Sequence, residues 1–128
     1  MSYKCLMIDD DADDHEIFEL ALQQIDTSIT CDFAHDGVVA LSKLSSGEIA
    51  KPDYIFLDLN MPRMSGRQVL QELKKFEALK NIPVVVCSTS SESVFANEAK
   101  ELGAIAYIVK PSSLRELVKN LKAFFENQ

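Results

Sequence analysis

The chain has 128 residues, of which 47% are hydrophobic and 26% are charged, and its formal net charge is −7 at pH 7. This size fits one compact domain that needs no disulfide or structural metal, and the negative charge argues against a nucleic-acid surface, which requires a basic patch. No apolar run approaches the roughly 20 residues that span a bilayer and the N-terminus lacks a secretory signal, so we expect a cytoplasmic protein that binds neither nucleic acid nor a membrane.

Short apolar runs alternate with helical patterns along the whole chain. The runs predict strands at 5–8, 29–34, 54–57, 84–87 and 106–109. Amphipathic patterns between them predict helices at about 14–25, 38–44, 66–76, 92–102 and 112–126. Apolar strands separated by helices imply a parallel sheet covered on both faces. The sequence thus predicts an α/β fold, a three-layer (βα)5 doubly wound parallel sheet, forming a single domain over residues 1–128 with no effector domain.

The cysteines lie inside apolar runs, at Cys5, Cys31 and Cys87. Their odd number and wide spacing do not match a zinc site or a redox pair. We therefore interpret them as small buried hydrophobic residues with free thiols.

Polar residues directly follow four of the predicted strands. Asp9 and Asp10 follow the first strand, Asp58 the third, Ser88 the fourth and Lys110 the fifth. In a doubly wound sheet, ligands bind beyond the carboxyl ends of the strands. We therefore expect these five side chains to converge at one edge of the sheet.

Carboxylates gathered at one edge repel one another and need positive charge nearby. Lys110 supplies one charge, and Mg²⁺ suits a site with few carboxylates that keeps several waters. Magnesium, a lysine and a hydroxyl together indicate phosphoryl transfer, in which an aspartate can act as the nucleophile. Asp11, Asp13 and Asp14 instead fit a solvated helix start, where acidic groups favour the helix dipole.

Four segments, each at a strand end, now carry a resemblance to a known family. They are LMIDDD (6–11), IFLDLNMP (55–62) with Gly66 following, PVVVCS (83–88) and YIVKP (107–111). At these segments the chain resembles the receiver domains of two-component response regulators, in their stand-alone, chemotaxis-regulator-like form. The resemblance covers essentially the whole chain and implies the flavodoxin-like receiver fold, with strand order 2-1-3-4-5.

The resemblance also implies a role for each strand-end carboxylate. Asp58 would be the phosphoacceptor. Asp10 would bind Mg²⁺ directly, Asp9 would contribute to the same site through water, and Asn60 would offer its backbone carbonyl to the metal.

Further roles follow for the remaining strand-end residues. Lys110 would pair with Asp58 and with the phosphoryl oxygens, and Ser88 would hydrogen-bond the phosphoryl group. Tyr107 would turn inward as a switch, although an aromatic residue in a strand is equally consistent with simple packing. The isomer of the Lys110–Pro111 bond stays open.

Four other residues fall outside these roles or depart from the family pattern. Thr89 is larger than the residue that many receivers carry after the hydroxyl position, which would narrow access to the phosphoryl group. Ser90 lies at a position that the family uses to tune attack by water, as does Asn60. His15 and His35 have no partner motif, and we interpret both as surface residues.

The resemblance implies a signalling switch rather than an enzyme. A histidine kinase or histidine phosphotransfer protein would dock near the first helix and supply the phosphoryl group. The surface of the fourth helix, fifth strand and fifth helix would then change its affinity for an unknown target protein. The protein would be a monomer or a phosphorylation-dependent dimer.

Three alternatives remain open at this stage. A small Mg²⁺-dependent phosphatase would need a second catalytic aspartate two residues after Asp58, where the chain has Asn60. A pseudo-receiver would share the fold but never accept a phosphoryl group. A flavodoxin-like cofactor carrier would need a phosphate-cradling loop after the first strand, where the chain has acidic residues.

Overall fold

The structure, a computed structural model, describes residues 3–59, 61, 64–89, 93–111 and 113–128. Strands and helices alternate through this part of the chain, as predicted. The strands are β1 (Lys4–Ile8), β2 (Thr30–Ala34), β3 (Tyr54–Asp58), β4 (Val84–Ser88) and β5 (Ala106–Val109). The helices are α1 (Ala12–Ile25), α2 (Gly37–Ser46), α3 (Gly66–Leu73), α4 (Ser93–Glu101) and α5 (Leu114–Glu126).

Two helix ends differ instructively from the sequence pattern. α1 begins at Ala12 rather than Asp14, because the Asp11 side chain accepts a hydrogen bond from the Asp13 N–H and caps the helix there. α3 ends at Leu73, after which the Lys75 N–H donates to the carbonyl three residues back and tightens the turn. The predicted first residues of α4 and α5, Glu92 and Ser112, lie outside the described residues. Nowhere in the described ranges does a helix have the length and apolar character needed to cross a membrane.

The strands form a parallel sheet in the order β2-β1-β3-β4-β5. This arrangement confirms the predicted doubly wound α/β fold and the order implied by the family resemblance. Since β1 lies between β2 and β3, the direction of winding reverses beside β1. Open sheets of this type bind ligands at the carboxyl ends of the strands that flank such a reversal.

The two faces of the sheet bury two hydrophobic clusters, because successive side chains of a strand point to opposite sides. One face packs against α2, α3 and α4, and its strand residues include Leu6, Ile8, Ile55, Leu57, Val84 and Val86. The other face packs against α1 and α5, and its strand residues include Cys5, Met7, Tyr54, Phe56, Val85 and Cys87. The central strands are therefore apolar on both faces, and polar side chains first become favourable where the strands end.

The strand register fixes which residues meet at the carboxyl edge. Ile8 of β1 pairs with Leu57 of β3, so Asp9 and Asp58 are the next residues along neighbouring strands. Asp58 also pairs with Cys87, which places Ser88 one residue further along β4. Ser88 in turn pairs with Val109, the residue before Lys110.

All three cysteines are free thiols, as predicted. Cys5 and Cys87 are buried, and burial raises the pKa of each thiol from 9.0 to about 12. Cys31 is only partly buried, and burial also raises its pKa. None of these thiols is therefore poised as a reactive thiolate near neutral pH.

The buried thiols predict that stability falls in alkaline solution. Between pH 9 and pH 12 the unfolded chain releases thiol protons that folded Cys5 and Cys87 retain. The folded state then binds more protons, so its stability decreases as the pH rises through this window. Urea unfolding below pH 9 and within the window would measure the decrease. Cys5→Ala should lose part of this pH dependence, and an unchanged slope in that variant would contradict the assignment.

The close packing around Gly66 leads to a second prediction, which concerns the backbone after β3. Its N–H donates to the Leu59 carbonyl at 2.9 Å, and a Cβ added there would lie 2.7 Å from the Leu59 Cα. We expect Gly66→Ala to cost about 1–3 kcal/mol through overpacking and to displace the backbone after β3. Urea unfolding and amide NMR shifts of Asp58 and Leu59 would measure both effects.

A matched control is Gly47→Ala. Gly47 has a φ of +81° with nothing within 4 Å of an added Cβ, so this variant should lose stability through backbone strain alone. Its amide shifts at Asp58 should match the wild type. Equal shifts at Asp58 in the two variants would contradict the proposed contact.

Candidate functional site

Three carboxylates meet at the carboxyl edge of the sheet. Asp58 ends β3, and the Asp9 N–H donates to the Ala34 carbonyl at 3.1 Å, which extends the β1–β2 pairing by one residue. Asp9 is fully buried and Asp58 is 9% exposed, whereas Asp10 is exposed. Each of the three offers a carboxylate oxygen, and these atoms lie within 4.8 Å of one another. The predicted convergence of these side chains is therefore present in the structure.

Lys110 brings a positive charge into this group. Its backbone N–H donates to the Ser88 carbonyl at 2.7 Å, which holds the end of β5 against β4. Its Nζ donates to Asp9 Oδ2 at 2.6 Å and lies 3.7 Å from Asp58 Oδ2. None of the described peptide bonds is cis, so the Lys110–Pro111 bond is trans.

The electrostatics of the site follow from burial and from these hydrogen bonds. Burial raises the pKa of Asp9 above its ordinary value, although hydrogen bonds from Lys110 and from the Asp11 N–H oppose this effect. Burial by itself would lower the pKa of Lys110, but hydrogen bonds to Asp9 and Asp14 outweigh it and raise that pKa. Lys110 is therefore an ammonium throughout the neutral range, and it compensates a carboxylate that has lost its hydration.

Asp14 contacts the site, a role that the sequence interpretation missed. Lys110 Nζ donates to Asp14 Oδ2 at 2.9 Å. The interpretation of Asp14 as one more solvated acid of the helix start is therefore incomplete. The available signal was its place in the first turn of α1, the helix that follows the strand-end carboxylates directly.

His15 is buried, and its prediction as a surface residue is wrong. The side chain is 8% exposed, and its Nε2 donates to the Asp9 carbonyl at 2.6 Å. Its ring stacks on Phe33 of β2 and on His35, with centroid distances of 4.8 and 5.0 Å. His15 lies three residues before Phe18 and seven before Leu22, so it belongs to the buried stripe of α1, and this spacing is a signal that the sequence contains. His35 is exposed, as predicted.

The remaining predicted residues lie around this centre. Ser88 ends β4 and is 1% exposed, and Tyr107 of β5 is half-buried and pairs with Val86, two residues before Ser88. Thr89 is exposed. Asn60 and Ser90 lie outside the described residues.

The donor set fits a hard divalent cation. It consists of carboxylate oxygens, with no thiol or imidazole among the groups that converge. Mg²⁺ and Mn²⁺ favour such ligands, and neither requires a full protein cage because both retain water. A bound divalent cation would also reduce the repulsion among the three carboxylates, whose combined charge exceeds that of Lys110. The edge of the sheet is therefore an acidic pocket beside a partly buried lysine, and its donors fit a divalent cation.

Comparison with known proteins agrees with this geometry. Chemotaxis protein CheY of Pseudomonas aeruginosa is 31% identical over 123 residues, which cover 96% of each chain. The phosphorylated cyanobacterial phytochrome response regulator RcpA superimposes with a TM-score of 0.87 at 32% identity, covering 98% of this chain and 93% of that one. The Mn²⁺-bound form of response regulator Rcp1 gives a TM-score of 0.83 at 29% identity, covering 95% and 91%.

A family model described as the response regulator receiver domain matches residues 5–122. This match covers the five described strands, apart from Lys4 of β1, and all the strand-end residues of the site. The chain therefore belongs to the response regulator receiver domain family.

Proposed function

We propose that this receiver accepts a phosphoryl group on Asp58 from a phosphohistidine, in the presence of Mg²⁺, and thereby changes its affinity for other proteins. Membership of the family establishes the coarser statement, a signalling switch of a two-component system. The observation that carries the finer one is the group of Asp9, Asp10 and Asp58 beside the Lys110 ammonium. The relatives RcpA in its phosphorylated form and Rcp1 in its Mn²⁺-bound form support the same chemistry.

The residues divide the reaction between them. An Asp58 carboxylate oxygen attacks the phosphorus in line, the P–N bond to the donor imidazole breaks, and its electron pair stays on the nitrogen. Lys110 neutralises charge on the transferred group, which it can do from its position 3.7 Å from Asp58. Asp9, Asp10, Asp58 and the Asn60 carbonyl would hold Mg²⁺, which supplies further neutralisation of the phosphoryl oxygens when bound.

Two further parts of the fold support signalling through protein contacts. On α1, Ile17 and Leu20 are 43% and 50% exposed and form an apolar patch near the site, which suits docking of a kinase or phosphotransfer protein. At the β5 edge of the sheet, Ile105 directly before the strand and Val109 at its end are 48% and 37% exposed. Ser88 and Tyr107 connect the site to this second surface, because β4 and β5 are paired.

The same proposal includes the cellular location and the oligomeric state of the protein. We infer a receiver that works in the cytoplasm and signals through contacts with other proteins. It is a monomer or a dimer that forms on phosphorylation. Sedimentation with and without beryllofluoride, a phosphoryl mimic, decides between these two states.

One prediction of the proposed function concerns Asp58 as the phosphoacceptor. Incubation with acetyl phosphate and Mg²⁺ should add the mass of one phosphoryl group, because Asp58 is the nucleophile. Intact-mass spectrometry measures the gain. Asp58→Asn should show none, and neither should the wild type with EDTA.

Asp13→Asn is the matched control, since Asp13 is an exposed carboxylate of the first turn of α1. It should gain the phosphoryl group like the wild type. A wild type that neither gains mass nor binds beryllofluoride would identify a pseudo-receiver and refute the proposal. Steady hydrolysis of phosphomonoesters would favour the phosphatase instead.

Another prediction of the proposed function concerns the transmission of the structural change from Asp58 through Ser88 to Tyr107. Beryllofluoride should shift amide NMR signals at Ser88, Tyr107 and Val109, because β4 and β5 carry the change away from Asp58. In Ser88→Ala the shifts should remain near Asp58 and fade at Tyr107. Identical spread of the shifts in both proteins would mean that the Ser88 hydroxyl does not transmit the signal.

A further inference from the structure

The Lys110 ammonium lies at different distances from the oxygens of three carboxylates. Its distances are 2.6 Å to Asp9, 2.9 Å to Asp14 and 3.7 Å to Asp58. The first two are hydrogen bonds, whereas the third is too long to be one. In the unphosphorylated protein, Lys110 is therefore bound to Asp9 and Asp14 and only approaches the phosphoacceptor.

The two hydrogen-bonded carboxylates differ in what happens when Lys110 moves. Asp9 has no exposed side-chain surface, so losing its partner would leave a buried charge uncompensated. The Asp14 side chain is 35% exposed, so water can hydrate it when the ammonium leaves. Movement of Lys110 toward Asp58 therefore breaks the contact with Asp14 and keeps the contact with Asp9.

We propose that Asp14 is a positioning residue that restrains Lys110 and thereby slows phosphorylation of Asp58. The inference rests on the proposed function of Asp58. Charge on the transferred phosphoryl group has to draw the ammonium away from Asp14, and the strength of that contact sets part of the barrier. Through the contact between Asp14 and Lys110, α1 thus controls the reactivity of Asp58 at the end of β3.

The experiment compares Asp14→Asn with Asp13→Asn. Both substitutions remove one negative charge from the first turn of α1, but only Asp14 contacts Lys110 through its carboxylate. Phosphorylation by acetyl phosphate at fixed Mg²⁺ is followed by intact mass. Asp14→Asn should react about two- to fivefold faster than the wild type, the range of a partly exposed ion pair. Asp13→Asn should stay at the wild-type rate, and Asp14→Glu should restore part of the restraint.

A second measurement does not depend on phosphorylation. The side-chain ammonium signal of Lys110, assigned by its loss in Lys110→Arg, is recorded by ¹⁵N NMR. It should move in Asp14→Asn and stay in place in Asp13→Asn.

Each outcome bears on the proposal. Equal rates in Asp14→Asn and Asp13→Asn, or a slower Asp14→Asn, would overturn the restraint. If the wild type takes up no phosphoryl group, the proposed function fails, but the ammonium signal still decides on Asp14. A shift confined to Asp14→Asn then supports the restraint on Lys110, and identical signals in the two variants overturn it.

Discussion

A buried carboxylate at the carboxyl end of β1 is the constraint on which the rest of the site depends. Asp9 has lost all contact with water, and the Lys110 ammonium at 2.6 Å compensates its charge. Removing one partner of such a pair costs about 3–5 kcal/mol, because the other is left charged and dry. The pair therefore fixes the ends of β1 and β5 relative to each other, on either side of the strand that carries Asp58. The same ion pair therefore both positions the reacting groups and stabilises the edge of the sheet.

The sequence predicts the fold and the composition of the site for a physical reason. Parallel strands bring all their carboxyl ends to one edge, so the first polar residue after each apolar run marks a member of the site. Asp9, Asp58 and Lys110 could be found in this way, and they do converge. Strand order depends on how crossovers pack, and the family resemblance supplied it.

Asp14 and His15 could not be assigned correctly by the same reasoning. The strand-end rule does not consider which face of a helix a residue occupies, and His15 belongs to the stripe of α1 that buries Phe18 and Leu22. The contact between Asp14 and Lys110 joins residues 96 positions apart in the chain, and no local sequence pattern predicts it.

The inner side of α1 contacts the residues of the site and the outer side is exposed, and this separation has an evolutionary consequence. Asp14 and His15 face the chemistry, through Lys110 and the Asp9 carbonyl, whereas Ile17 and Leu20 face outward. On the proposed docking of the phosphodonor at Ile17 and Leu20, substitutions on the outer side alter which donor the receiver recognises and leave the reacting groups in place. Duplicated copies of such a gene could therefore become insulated from one another in a cell by changes confined to one side of a single helix.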